Sequence, residues 1–302
     1  MDTLVDGKPR RIECIDILGQ RYALRRGIVN ILELEDEWYE DVTSPSQVLT
    51  ALKSHSRIGG DIFSFWQRPP DSTPAHPYNF DLVDTAVLPI ESYAQWWDKK
   101  IKPRVRNLVR KSQKDGLVVR ETRFDDAFVK GMTAIFNESP VRQGRKFWHY
   151  GKDFETVKQQ FSRFIHREIM IGAYHHEELV GLIMMGNAGK FGLTGQIISS
   201  LKHRDKFPNN ALIAKAVEIC AQRGIPNLCY LYWSDDSLSE FKRRCGFEKI
   251  SVPRYYIPLT QWGSVAMRLG LHRGVRSLLP HGLKQRLKAV RNRWNSRLAG
   301  GE

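Results

Sequence analysis

The order of strand and helix patterns between residues 117 and 259 sets the tightest limit on what this chain can fold into. Two apolar segments, 170–174 and 179–185, flank a polar turn, which is typical of a β-hairpin. A β-rich segment at 192–199 follows, then a helix with one apolar face, then a strong strand signal at 227–233. With the elements on either side, the order is strand, helix, three strands, helix, strand, helix, strand. This order predicts a fold of the α/β (α+β) class.

Helix boundaries in this region can be read from individual residues. In the segment 92–116, apolar residues recur at spacings of four and three, which predicts an amphipathic helix that Pro103 kinks or splits. Gly224 is placed to end the helix that begins near residue 209. Side chains suited to N-capping precede the two later helices: Asn209 and Asn210 before one, Asp235 and Asp236 before the other.

Two local motifs accompany this order of elements. Residues 241–247 read Phe-Lys-Arg-Arg-Cys-Gly-Phe, which resembles the Phe-Tyr-x-x-x-Gly-Phe segment in the last helix of the GNAT superfamily of N-acyltransferases. Residues 204–209 read Arg-Asp-Lys-Phe-Pro-Asn and lie where that superfamily has its pyrophosphate loop, Arg/Gln-x-x-Gly-x-Gly/Ala. Residues 97–121 resemble the basic helix and following strand of FemAB-like proteins, the branch typified by peptidoglycan-bridge enzymes. The resemblance covers roughly residues 90–260.

The resemblance implies a GNAT acyltransferase fold with a mixed central sheet. It also implies transfer of an acyl or aminoacyl group to an amine, with acyl-CoA (acetyl-CoA) or aminoacyl-tRNA as the donor and no metal. The acceptor class that it suggests is an amine on an envelope or polysaccharide precursor, either lipid-linked or a sugar. In this reading the donor is bound by the residues around the loop, namely Arg204, Lys206, Asn209 and Asn210.

The sequence departs from the superfamily pattern at three positions. Phe207 and Asn209 replace two glycines of the pyrophosphate loop, and a side chain there would crowd a phosphate at a helix N-terminus. This argues against ordinary acetyl-CoA binding. Lys242 stands where many acetyltransferases have a tyrosine that protonates the departing thiolate, and FemAB-like enzymes carry Phe-Lys there. A lysine at this position is predicted to stabilise the tetrahedral oxyanion or the leaving oxygen, and a plain surface lysine is the structural alternative.

The loop 142–152 combines two glycines with basic and aromatic residues, more than a plain connector needs. His149 titrates near neutrality in its ordinary form and is the candidate general base towards an amine. Residues of this loop predicted to bind substrate are Arg142, Arg145, Trp148, Tyr150 and Lys152. A solvated basic loop is the alternative interpretation.

Two strand residues complete the predicted site. Gln196 lies on the strand that often carries the GNAT base, but an amide cannot take a proton, so it is expected to orient a water or the acceptor amine. Tyr230 and Tyr232 alternate with Leu231, so one strand face points to the core and the other to the cleft. Tyr232 is therefore a further catalytic candidate, with amphipathic packing as the alternative.

The positive charge of the chain is concentrated at its C-terminal end. Residues 261–302 hold nine lysines and arginines and one acidic residue, a net +8 of the formal +14. Leucine, valine and Trp294 recur at helical spacing from Leu283 to Leu298, which predicts a basic amphipathic helix. Such a helix suits an anionic membrane surface, RNA phosphates or an acidic face of the protein itself, and the tryptophan among leucines favours the membrane.

The remaining features set broad limits. The sequence predicts an N-terminal subdomain of unclear role (1–90), an acyltransferase domain (91–260) and the basic helical tail (261–302). The four cysteines have no spacing of a zinc site or disulfide framework. No signal peptide pattern and no apolar run of roughly 18 residues is seen, which predicts a cytoplasmic protein. The basic tail predicts a peripheral position at the inner face of the membrane. The alternative function is a catalytically idle GNAT fold that serves as an RNA-binding or membrane-associated adaptor, and the oligomeric state stays open.

Overall fold

Most of the strands belong to one continuous mixed sheet. The computed structural model describes residues 2–5, 8–11, 13–54, 59–163, 165–233 and 237–274. The strands are β1 (Asp2–Val5), β2 (Lys8–Arg11), β3 (Glu13–Ile17), β4 (Gln20–Arg25), β5 (Ile31–Leu34), β6 (Ile62–Trp66), β7 (Phe80–Pro89), β8 (Val118–Thr122), β9 (Val141–Arg142), β10 (Arg145–Lys146), β11 (Glu168–His175), β12 (Glu178–Asn187), β13 (Gly192–Ser199), β14 (Asn227–Tyr232) and β15 (Glu248–Pro258). The order in the large sheet is β3-β4-β5-β6-β15-β7-β14-β13-β12-β11-β8. The pairs β1-β2 and β9-β10 stand apart from it.

The described helices are α1 (Pro45–Ser54), α2 (Tyr93–Gln95), α3 (Pro103–Lys114), α4 (Asp126–Phe136), α5 (Phe154–Phe161), α6 (Pro208–Gln222), α7 (Ser237–Arg244) and α8 (Gln261–Arg268). Several of them follow the predicted positions, but α1 and α5 were not predicted, and Asn209 and Asn210 lie inside the first turn of α6 instead of capping it, because the helix begins at Pro208. The predicted interruption near Pro103 is confirmed, because Ile101 and Lys102 have an extended backbone between the π-helical turn Trp96–Lys100 and α3. The predicted hairpin is β11–β12, and the order of elements from β8 to β15 is confirmed, with α5 and the short strands β9 and β10 added.

The sheet contains the same motif twice. In residues 13–66, which begin what we call the N-terminal half, the antiparallel strands β3, β4 and β5 lead through α1 into β6, which is parallel to β5. In the C-terminal half, β11, β12 and β13 lead through α6 into β14, which is parallel to β13. The last strand of each half pairs with a strand of the other half: β7 of the N-terminal half pairs with β14, and β15 of the C-terminal half pairs with β6.

The exchanged strands β7 and β15 join the two halves. They pair antiparallel along the centre of the sheet, from Glu248 opposite Val87 to Tyr255 opposite Phe80. An exchange of this kind gives each half a strand that only the other half can supply. The predicted boundary at residue 90 falls directly after β7, and the division into domains stays a prediction.

Helices cover both faces of the sheet. In β12, Ile183 and Met185 belong to the apolar core under α6, while Leu182 and Met184 belong to the core under α4. We call the side covered by α6 the first face and the side covered by α4 and α5 the second face. In the N-terminal half, α1 packs on the first face, and α8 packs on the second.

The predicted tail begins with a helix that is docked on the N-terminal half. The Thr260 side chain accepts a hydrogen bond from the backbone N–H of Gly263 and caps α8. A Cβ added at Gly263 would lie 2.0 Å from the carbonyl oxygen of Asp61, so only glycine fits there. Ala266 is fully buried. The predicted apolar stripe at 283–298 and the predicted caps Asp235 and Asp236 lie outside the described residues.

None of the helices in the described ranges is both long enough and apolar enough to cross a membrane.

Candidate functional site

The parallel strands β13 and β14 diverge shortly after they meet. They are paired only at Gly192 with Leu228 and at Leu193 with Cys229. The buried hydroxyl of Thr194 donates a hydrogen bond to the carbonyl oxygen of Cys229 (3.2 Å), the last hydrogen bond between the two strands among the described residues. Beyond this point the sheet opens into a cleft. The cleft is bordered on one side by β13 and on the other by β14.

Three of the predicted catalytic residues border this cleft, and each lies in a different environment. Gln196 lies half-buried on β13, beside a bulge in its pairing with β12. Tyr232 lies at the end of β14 and is 50% exposed. Lys242 comes from α7 and is only 1% exposed. The fold thus brings these three residues to one region, while the accessible polar groups are those of Gln196 and Tyr232.

The ammonium group of Lys242 is bound by the backbone of β14. Its Nζ donates hydrogen bonds to the carbonyl oxygens of Tyr230 and Tyr232, both at 2.7 Å, and lies 4.4 Å from the centre of the Tyr230 ring. Between the two tyrosines, Leu231 has a left-handed backbone (φ 45°), which breaks the regular strand. Because a regular ladder cannot satisfy carbonyls at such a break, the lysine supplies their donors. Lys242 therefore fixes the shape of the cleft wall.

Tyr232 faces a cavity of about 390 Å³ on the second face, between the two halves. Its ring makes an edge contact with Trp38, with 5.7 Å between the ring centres. Burial is the largest influence on its hydroxyl and raises its pKa, so the hydroxyl is protonated at neutral pH. The other polar or charged residues that line the cavity are Arg25, Glu33, Glu37, Arg254, Tyr256, His272 and Arg273.

A buried ion cluster forms the floor of this cavity. The Arg254 guanidinium donates to Glu33 (2.9 Å) and to Glu37 (2.8 Å), and its Nε donates to the hydroxyl of Ser64 (3.0 Å). Burial raises the pKa of the Glu37 carboxyl, and the nearby Arg254 opposes this shift. Sequence reasoning missed Glu33 and Glu37, because they lie in the part of the chain with the weakest pattern. Glu33 lies in β5 and Glu37 follows it, among five carboxyl residues in the segment 33–40, so nothing in the sequence singles these two out.

The predicted general base His149 lies in an aromatic pocket. Its ring is 1% exposed and stacks on Phe136 at 4.3 Å, and neither ring nitrogen has a hydrogen-bond partner among the described residues. Burial, with a smaller effect of Lys152, lowers the pKa of His149 to about 3. The prediction that His149 titrates near neutrality is therefore wrong, since removal from water disfavours the charged ring.

Replacement of His149 by phenylalanine is expected to make stability less dependent on pH. The folded pKa lies below the ordinary value of 6.5, so this group favours folding above that pH and loses its contribution as pH falls. Between about pH 6 and pH 4, wild type should lose roughly 1.4 kcal/mol more per pH unit than His149→Phe. Urea unfolding at several pH values in this range measures the slope of the free energy of unfolding against pH, with His166→Phe, at an exposed position, as the control. Equal slopes in wild type and His149→Phe would contradict a buried neutral ring.

Arg142 stabilises the loop instead of facing solvent. It donates to the carbonyl oxygens of Ser199 (2.8 Å) and Ile135 (2.6 Å) and pairs with Glu138 at 3.0 Å. Glu138 also accepts hydrogen bonds from Ser200 and from the backbone of Leu201. This half-buried pair ties the end of α4 to the end of β13, so Arg142 has a structural role here.

The other residues of the loop 142–152 form an exposed surface on the second face. Trp148 and Tyr150 are about half exposed, and Arg145 on β10 is exposed. The Lys152 ammonium lies 4.0 Å from the centre of the Trp148 ring and donates to Gln160. Their predicted role in substrate binding stays a prediction.

The predicted donor loop leads into the N-terminus of α6. Phe207 has a left-handed backbone (φ 52°), the conformation for which glycine is favoured. Pro208 occupies the first turn and has no N–H to offer. Arg204 is exposed, Lys206 and Asn209 are partly buried, and Asn210 is buried. Phe207 therefore places a phenyl side chain at a position whose backbone conformation favours glycine.

In sequence, no protein-family model matches the chain and no curated protein matches it. Solved structures do match. FemX is 11% identical, with 80% of this chain and 87% of FemX covered and a TM-score of 0.56. The C-terminal domain of a putative lysylphosphatidylglycerol synthetase from Agrobacterium fabrum is 9% identical (86% and 88% covered, TM-score 0.58), and L-PGS from Bacillus licheniformis is 13% identical (84% and 86% covered, TM-score 0.58). The likeness shows that this chain shares the fold of FemX and of these two proteins, and it agrees with the α/β fold that the sequence predicts.

Proposed function

We propose that this protein is an N-acyltransferase that moves an acyl or aminoacyl group onto an amine. One observation carries the proposal: β13 and β14 separate between the N-terminus of α6 on the first face and the cavity at Tyr232 on the second. In our proposal, the cleft between these strands is the passage in which donor and acceptor meet. The donor would enter from the α6 side, and the acceptor amine would occupy the cavity. The reacting carbonyl would lie between them.

The residues around the passage suit direct transfer. The amine nitrogen attacks the donor carbonyl carbon, and the bond to the leaving sulfur or oxygen breaks. In our proposal, the Tyr232 hydroxyl donates a hydrogen bond to the oxyanion and Gln196 orients the amine. The Glu37 carboxyl accepts the proton that the amine loses and passes it to the leaving oxygen or sulfur, directly or through water. Lys242 is a positioning residue, because its contacts are with the backbone that carries Tyr232.

Acyl-CoA and aminoacyl-tRNA are the two donor classes, and two features favour aminoacyl-tRNA. Phe207 and Pro208 remove space and a backbone N–H from the place where a pyrophosphate would bind. The end of α3 approaches the same loop, since Asp115 lies within the electrostatic influence of Lys206. Exposed basic residues follow α3 towards that end and suit a polyanion: Lys102, Arg104, Arg110, Lys111 and Lys114.

The acceptor that we propose is an amine on a lipid-linked or sugar precursor of the cell envelope. Carboxyl groups at the cavity floor suit an amine, and Arg25 and Arg273 at its wall suit an acidic group on the same molecule. Among similar structures, one is named as a putative synthetase of lysylphosphatidylglycerol, an aminoacylated lipid.

Substitution of Phe207 by glycine tests the donor. Glycine accepts the same backbone conformation without a phenyl ring, so the N-terminus of α6 becomes open to phosphate. If the ring is what excludes CoA, Phe207→Gly should gain CoA binding. At a CoA concentration of about 100 times the dissociation constant, this would stabilise the variant by about 2.7 kcal/mol in a thermal shift. A wild-type chain that CoA stabilises equally well would contradict the preference for tRNA.

Transfer itself is tested with labelled donors. Aminoacyl-tRNA and acyl-CoA are each incubated with the protein and an amine acceptor, and labelled amide is measured. Amide formation that depends on Tyr232 supports the proposal. Donor binding without any transfer, together with RNA or vesicle binding, would favour the idle adaptor.

A further inference from the structure

The outer face of α8 carries an apolar stripe with no protein cover among the described residues. Trp262, Val265 and Leu269 are spaced by three and four residues and lie on one side of the helix, with Leu269 58% exposed. Ile28 extends the stripe; it is 63% exposed, and its carbonyl oxygen accepts a hydrogen bond from the Trp262 indole (3.1 Å). Four large apolar side chains grouped in this way on an exposed surface indicate a binding surface.

The stripe cannot turn inward, because the opposite side of α8 is fixed. Gly263 lies against the backbone of Asp61, and Ala266 is fully buried. After α8, His272 and Arg273 both contact the carboxylate of Asp81, which fixes the chain as far as Gly274. The outward direction of the stripe is therefore a property of the folded body.

The charge of the chain around this helix indicates the partner. Arg268 is exposed on α8 beside the stripe. The sequence after Gly274 contains seven lysines and arginines and one acidic residue over 28 residues, and it starts at the end of this docked segment. Basic residues next to a surface of tryptophan and aliphatic side chains are the combination that binds anionic lipid. A second copy is disfavoured, because four side chains are far fewer than the roughly 20 residues a side of a stable interface.

We infer that the outer face of α8, with Ile28, docks on an anionic membrane surface. The docking residues would sit at the level of the lipid headgroups, where tryptophan is favoured. Beside α8, a cavity of about 340 Å³ lined by Met267, Arg268 and Tyr256 adjoins the cavity at Tyr232 through shared residues. Docking would thus bring the proposed acceptor cavity to the membrane, so that a lipid-linked acceptor reaches it without leaving the bilayer. This last step rests on the proposed function, whereas the docking does not.

Vesicle sedimentation of the full chain tests the docking without donor or acceptor. With vesicles of equal parts phosphatidylcholine and phosphatidylglycerol, wild type should bind, and added salt should weaken binding. The double variant Val265→Glu, Leu269→Glu should bind on the order of tenfold less tightly or worse, because it puts two charges into the headgroup region. The control is Val118→Glu, an exposed valine on β8 at the far edge of the sheet, which should bind as wild type does.

Two results would overturn the inference. One is a full chain that does not bind the vesicles. The other is wild-type binding by the α8 double variant together with loss of binding in Trp294→Glu, because the tail alone would then carry the interaction. Since all the α8 substitutions are at exposed positions, unchanged urea unfolding shows that the fold is intact. Transfer activity with a water-soluble acceptor is measured separately, so failure of docking and failure of the proposed function give different results.

Discussion

Replacement of Lys242 by methionine is expected to lower turnover by about two orders of magnitude and to destabilise the protein as well. Methionine is similar in volume but donates no hydrogen bond. The carbonyl oxygens of Tyr230 and Tyr232 would be left without their buried donor, which costs about 3 kcal/mol in the free energy of unfolding. The end of β14 would then relax, and misplacement of Tyr232 by about 1 Å accounts for the loss of turnover.

The stability measurement separates two roles for this lysine. Sequence reasoning alone makes Lys242 a direct oxyanion donor, and in that case turnover falls while the protein folds as stably as before. Urea unfolding and turnover are therefore measured on the same variant, with Lys130→Met on the exposed side of α4 as a matched control. A Lys242→Met variant of unchanged stability and low turnover would restore the direct role.

The fold of the C-terminal half could be predicted because its signals are local. The hairpin β11–β12 follows from two apolar segments around a polar turn, and α6 follows from an apolar face that begins after Pro208 and ends before Gly224. The N-terminal half has no such signal. Its strands are short, and β7 has its partners in β14 and β15, more than 130 residues later in the chain. Pairing at that sequence separation leaves no periodic pattern to read.

The site was harder to predict than the fold, because burial decides what each side chain does. The sequence around His149 is rich in basic and aromatic residues, which suggests a loop that takes part in binding or catalysis. In the structure, Phe136 and the neighbouring rings remove the imidazole from water. Phe207 looks like an obstacle in sequence, and its left-handed backbone, which favours glycine, is seen only in the structure. Glu37 and Tyr232 come to one cavity because strand exchange joins the two halves. Neither the burial of a side chain nor the exchange of strands between the halves can be read from the order of residues.

Replacement of Tyr232 by phenylalanine is expected to lower the turnover number by about two orders of magnitude with little change in KM or in stability. The ring keeps its contact with Trp38, and only the hydroxyl, which lies on an exposed side chain facing the cavity, is removed. Loss of one oxyanion donor costs roughly 2.7 to 4 kcal/mol in the transition state. Tyr150→Phe on the loop 142–152 is a half-exposed comparison, and a larger loss there would place the chemistry at the loop.

The double variant Tyr232→Phe, Lys242→Met decides whether the two residues act as one unit. If Lys242 works only through the backbone of Tyr232, its removal has little left to disturb once the hydroxyl is gone. The double variant should then lose about as much turnover as Tyr232→Phe alone, although its stability should fall as in Lys242→Met. If the two losses in turnover multiply instead, to about four orders of magnitude, each residue contacts the reacting group independently. In that case the ammonium must leave the two carbonyl oxygens when substrate binds, and the cleft wall at β14 must change shape during the reaction.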